Sequence, residues 1–132
     1  MRLIIAFLML STFCYSQSYI DYNNFEEKVL GKKAFGEDQS NVVVIEFWAA
    51  FNDANSFVGS EKIKDISHYY RLDVSKFPVA KKDYRIRMTP TIIIFKDGIE
   101  YAKFKAGLDL YCPVSLGELQ KQINEMQQES KF

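Results

Sequence analysis

The sequence predicts an α/β sandwich, a mixed central sheet flanked by helices, and three observations carry that prediction. The run Val42-Val43-Val44-Ile45-Glu46-Phe47-Trp48 is β-branched and apolar on both faces but for Glu46, as a central strand covered by helices must be. A second strand, Thr91-Ile92-Ile93-Ile94-Phe95, ends in the turn Lys96-Asp97-Gly98 and returns as a hairpin over 101–106. Segments of helical spacing lie between these strands and after them. Strands alternating with helices, closed by a hairpin and a last helix, give this layered architecture.

Met1-Arg2 is followed by eight apolar residues, Leu3 through Leu10, and small residues stand at Cys14 and Ser16. One positive charge, a short apolar stretch and that small-residue end predict a secretory leader over 1–16, cut at Ser16–Gln17. Crossing a bilayer takes roughly 20 apolar residues, and this stretch is too short. A lipidated Cys14 is the competing reading, and bulky Phe13 before it fits that processing badly. The expected destination is the periplasm or the extracellular space, with no membrane span in the mature form.

The expected domain covers 17–126, with a polar tail over 127–132. Within it, Tyr19-Ile20 reads as a short edge strand. Asn23 or Asn24 can cap a helix carrying Phe25, Val29 and Leu30, with Gly31 as its stop and a loop over 32–41. Residues 51–66 read as a helix with Phe57, Ile63 and Ile66 turned inward. A strand is expected over 69–74, and a short helix over 79–84 behind Pro78. The last helix is marked by Ser115-Leu116-Gly117-Glu118, in which the serine hydroxyl and the glutamate carboxylate each satisfy a backbone N–H. Its stripe of Leu116, Leu119, Ile123 and Met126 faces the core.

Composition narrows the function classes. The chain has 17 Lys+Arg and 17 Asp+Glu, and Arg2 is the leader's one charge, so the mature form is close to neutral. That balance predicts no nucleic-acid partner, and the pairs Lys32-Lys33 and Lys81-Lys82 read as solvated surface. One histidine, His68, and one mature cysteine, Cys112, make no zinc-like cluster, and no phosphate loop or nucleophile elbow is present. No cofactor or metal is expected. Cys112 has no partner for an internal disulfide, although the exported compartment permits one.

The stretch Val43-Val44-Ile45-Glu46-Phe47-Trp48-Ala49-Ala50-Phe51 resembles the strand that leads into the active site of the thioredoxin family. The stretch Tyr84-Arg85-Ile86-Arg87-Met88-Thr89-Pro90-Thr91-Ile92-Ile93-Ile94-Phe95-Lys96-Asp97-Gly98 is similar to that family's cis-proline segment and hairpin. The two stand in the family's order, with Gly107 and the closing helix behind them. The resemblance implies a thioredoxin-like three-layer sandwich with a cis Thr89–Pro90 bond. It also implies that Glu46 stands where the family carries a buried acid, with Arg71 as the basic residue facing it. Residues 55–71 are short for the family, so the second helix or its exit loop is expected to be shorter by one to two turns.

Where the family places Cys-x-x-Cys, this chain reads Asn52-Asp53-Ala54-Asn55. Dithiol exchange needs an attacking thiolate and a resolving thiol. An asparagine amide supplies neither. Asn52 or Asp53 reads instead as the cap of the following helix, and Trp48 as a packing residue beneath it. Glu46, if incompletely paired, should titrate upward.

Three functions from different classes follow. The first is a non-catalytic module that binds a protein or peptide in the groove beside the cis-proline loop, with Phe51, Phe57, Thr89 and Pro90 as groove residues. The second is an atypical thiol-redox protein using Cys112, although that residue reads sooner as an inert, partly buried thiol than as a sensor or an intermolecular bridge. The third is a structural subunit of an envelope assembly.

Overall fold

The computed structural model describes residues 18–30 and 41–129. The expected leader with Cys14, the cut before Gln17, the Gly31 stop and nearly all of the loop over 32–41 lie outside the described residues.

Five strands form one sheet: β1 (Ser18–Tyr19), β2 (Val42–Trp48), β3 (His68–Asp73), β4 (Thr91–Lys96) and β5 (Ile99–Lys105). Their spatial order is β1-β3-β2-β4-β5. β3 runs parallel to both β1 and β2, while β4 is antiparallel to β2 and to β5, so the sheet is mixed as expected. Parallel neighbours cannot be joined by a tight turn. The chain from β2 to β3 therefore crosses a sheet face, and this crossover is where the candidate site lies.

Alternation along β2 divides the core in two. Val43, Ile45 and Phe47 pack on one face with Phe25, Val29, Leu72, Ile93 and Phe95. Val42 and Val44 pack on the other with Phe57, Ile92, Ile94 and the inner stripe of α2. Helix α1 (Pro78–Asp83) covers the first face, with Pro78 at its first turn, where the missing N–H costs nothing. Helix α2 (Leu116–Glu129) covers the second, burying Leu119, Ile123 and Met126. Ser115 Oγ accepts the Glu118 N–H at 3.2 Å, so the expected serine cap is formed. The helix runs on to Glu129, which takes in the first half of the expected tail.

The β4–β5 turn places Asp97 at φ 50° and Gly98 at φ 81°, the left-handed pair of a two-residue hairpin. A side chain at Gly98 would also meet the Leu30 carbonyl oxygen at 2.6 Å.

Two expected helices are corrected. The first begins at Asp21 rather than at Asn23 or Asn24: Asp21 Oδ1 accepts the Asn23 N–H at 2.9 Å, opening a 3₁₀ turn over Tyr22–Asn24. A wide π-type turn over Glu26–Leu30 follows, and Phe25 and Val29 face the core as expected. The helix expected over 51–66 does not form. Two 3₁₀ turns, Ala50–Asn55 and Ser60–Lys62, stand in its place, separated by extended Ser56 and by Gly59 at φ 94°. Asn52 and Asn55, like Asp53 and Ser56, bond through their side chains, the local competition that breaks helices.

Candidate functional site

Glu46 and Arg71 are direct partners in the parallel β2–β3 register. Both side chains are buried on the α2 face of the sheet, and Arg71 Nε lies 3.2 Å from Glu46 Oε1. The Glu46 carboxylate also accepts the Tyr69 hydroxyl at 2.8 Å and the Phe57 N–H at 3.1 Å. Both of its oxygens have partners, so it is not an incompletely paired group. The Phe57 N–H bond is one that ties the crossover to the sheet.

Arg71 links the buried acid to the surface loop. Its Nη2 reaches Asp53 Oδ1 at 3.1 Å and Ser56 Oγ at 2.6 Å, and its Nη1 reaches the Tyr19 hydroxyl at 3.3 Å. The guanidinium carbon sits 4.3 Å from the centre of the Trp48 ring, a cation–π contact in a desolvated setting. Trp48 is thus a packing residue, as expected, with Arg71 as its partner. Burial works against the arginine's charge, but Glu46 and the hydrogen bond donated to Asp53 outweigh it and hold its pKa above the ordinary value. Breaking such a buried pair by removing one partner typically costs about 3–5 kcal/mol.

Asn52 and Asp53 do not cap a helix. The cap position is Ala49, with no side-chain bond, and Asn52 lies inside the turn at φ −119°. Asn52 Nδ2 donates to the Thr89 carbonyl and to the Leu110 carbonyl, both at 2.8 Å. Asn55 Nδ2 donates to Asn52 Oδ1 at 2.6 Å, fixing which end of the amide points out. Three loops are therefore clasped by one side chain. Ala54 makes no polar side-chain contact and is exposed.

The Thr89–Pro90 bond is cis, as the resemblance implies. A groove of about 270 Å³ lies beside it, lined by Ala49, Phe51, Val74, Met88, Thr89 and Leu110 among others. Phe51 stands over it 77 % exposed. Phe57, expected as a second anchor, is 3 % exposed and belongs to the core of the α2 face. Its N–H bond to Glu46 turns it inward, away from the groove. Pro90 is buried and shapes the loop without lining the groove.

Cys112 is half-buried against that same core, and its thiol donates to the Val114 carbonyl at 3.4 Å. Burial pushes the thiol's pKa up, Val114 opposes this, and the Glu46 charge adds to the rise. His68 opens β3 in an exposed position, stacked on Tyr70 at 5.2 Å. Among the described residues no group of His, Cys, Asp or Glu is arranged to hold a metal, and no helix is long and apolar enough to cross a membrane.

Sequence reasoning missed Tyr69, Ser56 and Leu110. Tyr69 carried a signal: two residues before Arg71 on the same strand, it shares the face of Glu46. Ser56 and Leu110 carried none, because their roles depend on how distant loops meet.

No protein-family model matches the sequence. Over 49 residues the chain is 39 % identical to thioredoxin Y2, chloroplastic, from Arabidopsis thaliana, a match covering 37 % of this chain and 29 % of that protein. Among solved structures it is similar to a cysteine-to-serine mutant of an Entamoeba histolytica thioredoxin, with TM-score 0.59 and 17 % identity, over 83 % of this chain and 99 % of that one. A designed protein gives TM-score 0.58 and 21 % identity over 85 % and 93 %. With the mixed sheet, the cis-proline loop and the buried acid in place, the chain is thioredoxin-like in fold.

Proposed function

We propose that the chain is an exported thioredoxin-fold module that does no dithiol chemistry and binds a protein or peptide in the groove beside Thr89-Pro90. Phe51 carries this reading: a large aromatic left 77 % exposed over a groove, with Leu108 and Tyr111 of the neighbouring loop also exposed. Apolar surface held out in this way marks an interaction site. The leader over 1–16 supports export. Loss of the dithiol follows from Asn52-Asp53-Ala54-Asn55, whose side chains hold loops together and have no sulfur to exchange. A redox role for Cys112 is disfavoured by the burial that raises its pKa.

The test is a pull-down from envelope extracts with wild-type protein and Phe51→Ala, run beside a disulfide-reductase assay. A partner lost in Phe51→Ala, with no turnover above the no-protein control, supports the reading. Turnover that disappears in Cys112→Ser would replace it with the thiol-redox one.

A further inference from the structure

Next to the groove lies a larger open cavity of about 730 Å³, lined by Lys81, Lys82, Arg85, Arg87 and Lys105 with two apolar residues and no acid. The chain as a whole balances 17 Lys+Arg against 17 Asp+Glu, so five cations around one cavity are a strong local excess. None of the five forms an ion pair among the described residues. Lys81 and Arg87 line the groove under Phe51 as well, so the two cavities share a wall.

Arg85 is held there at a backbone cost. The Ile86 N–H bonds the Lys81 carbonyl at 2.8 Å and the Arg85 N–H bonds the Lys82 carbonyl at 3.2 Å, closing α1 with Arg85 at φ 54°. That left-handed position is one glycine ordinarily fills. Nearby Lys103 has its pKa lowered by burial and then by the Lys105 charge, opposed by Glu100, with Arg85 adding to the lowering. Positive potential is thus concentrated at one end of the groove.

We propose that the segment bound in the groove is acidic: an extended peptide that sets an apolar side chain against Phe51 and Asp or Glu side chains among the five cations. This rests on the groove reading and specifies its ligand. Side chains of an extended segment alternate in direction, so every second residue can face the protein. Charge complementarity of this kind selects partners and speeds encounter.

The experiment uses fluorescence anisotropy with a labelled octapeptide, Val-Ser-Val-Ser-Glu-Ser-Glu-Ser, whose Val and Glu side chains share one face when extended, and the same peptide with Gln for Glu. The Glu peptide should bind roughly tenfold or more tightly than the Gln peptide, with the gap closing as salt rises. Lys82→Ser with Arg85→Gly, both outside the groove wall, should narrow the gap at least threefold. Arg85→Gly alone should raise the melting temperature while narrowing the gap, which separates lost charge from lost structure. Equal binding of both peptides, weakened by Phe51→Ala, would keep the groove reading and overturn this one. Dissociation constants above about 1 mM for both peptides would overturn both. Polyphosphate binding as tightly as the Glu peptide, unaffected by Phe51→Ala, would make the pocket a general polyanion site and overturn the peptide inference.

Discussion

Asn52 reaches across 37 residues of sequence to place its amide nitrogen 2.8 Å from the Thr89 carbonyl oxygen, one residue before the cis-proline. The same nitrogen holds the Leu110 carbonyl, so Asn52 acts as a structural clasp at this position. Asn52→Ala leaves two carbonyls without their donor and should cost about 1–3 kcal/mol in urea unfolding. Asn52→Asp should cost more, because it turns a carboxylate toward two carbonyl oxygens. Asn55→Ala should cost less than either, since it removes only the orienting bond. Wild-type stability in Asn52→Ala would mean the clasp carries no energy.

Phe51 and Phe57 look alike in the sequence and should behave oppositely. Phe57→Ala opens a cavity in the α2-face core and should cost about 3–5 kcal/mol. Phe51→Ala removes an exposed ring and should change stability by no more than about 0.5 kcal/mol, while costing roughly 2 kcal/mol in partner affinity if the ring is the central anchor. Comparable losses of stability in the two variants would place Phe51 in the core and remove it from the proposed interface.

The strands were legible because β2 and β4 are buried on both faces, a demand that only unbroken apolar, β-branched runs meet. The Glu46–Arg71 pairing came from the resemblance, and register then set it geometrically. The helix expected over 51–66 was not legible. Phe57, Ile63 and Ile66 are all turned toward the α2-face core, as a helical stripe would be, but they reach it from a bent crossover. What decides the backbone there is polar: Asn52, Asp53, Asn55 and Ser56 each find side-chain or distant backbone partners. Such partners are set by tertiary paths, and no local pattern announces Leu110 or Thr89 as acceptors.

Stability at alkaline pH should report the buried polar cluster. Burial, and then the Glu46 carboxylate, raise the Tyr69 pKa well above its ordinary 10.0. The folded protein therefore keeps a proton that the unfolded chain releases. Tyr69's contribution is complete below about pH 10 and declines above it, by about 1.4 kcal/mol per pH unit until its folded pKa is reached. Tyr22, Tyr70 and Tyr84 are also raised and leave a residual slope. Urea unfolding between about pH 9 and about pH 11, in a Cys112→Ser background, should show an average slope shallower by about 0.7 kcal/mol per pH unit in Tyr69→Phe. Identical slopes would contradict the cluster's geometry.

Restoring sulfur tests the site from the other direction. The side chains of Asn52 and Asn55 meet at 2.6 Å within one tight turn, so their β-carbons already converge. Asn52→Cys with Asn55→Cys should therefore form an intramolecular disulfide, for which Cα atoms must lie within about 4.4–6.8 Å. The bond replaces the clasp, so part of its stabilisation is offset by the Thr89 and Leu110 carbonyls left without their donor. Those same carbonyl oxygens then face the sulfur at position 52, and Asp53 adds a carboxylate beside it. Both disfavour a thiolate, whereas reactive cysteines of exchange enzymes need a pKa below the ordinary value of about 8.5. The variant should thus oxidise readily and catalyse poorly. Thiol counting and intact mass after mild oxidation, in a Cys112→Ser background, check the first claim, and the pH dependence of alkylation checks the second. Cross-links only between chains would show that residues 52 and 55 do not converge. A thiol at position 52 that alkylates at its full rate near neutral pH would show that the carbonyls do not set its acidity, leaving the missing cysteines as the one barrier to exchange chemistry at this site.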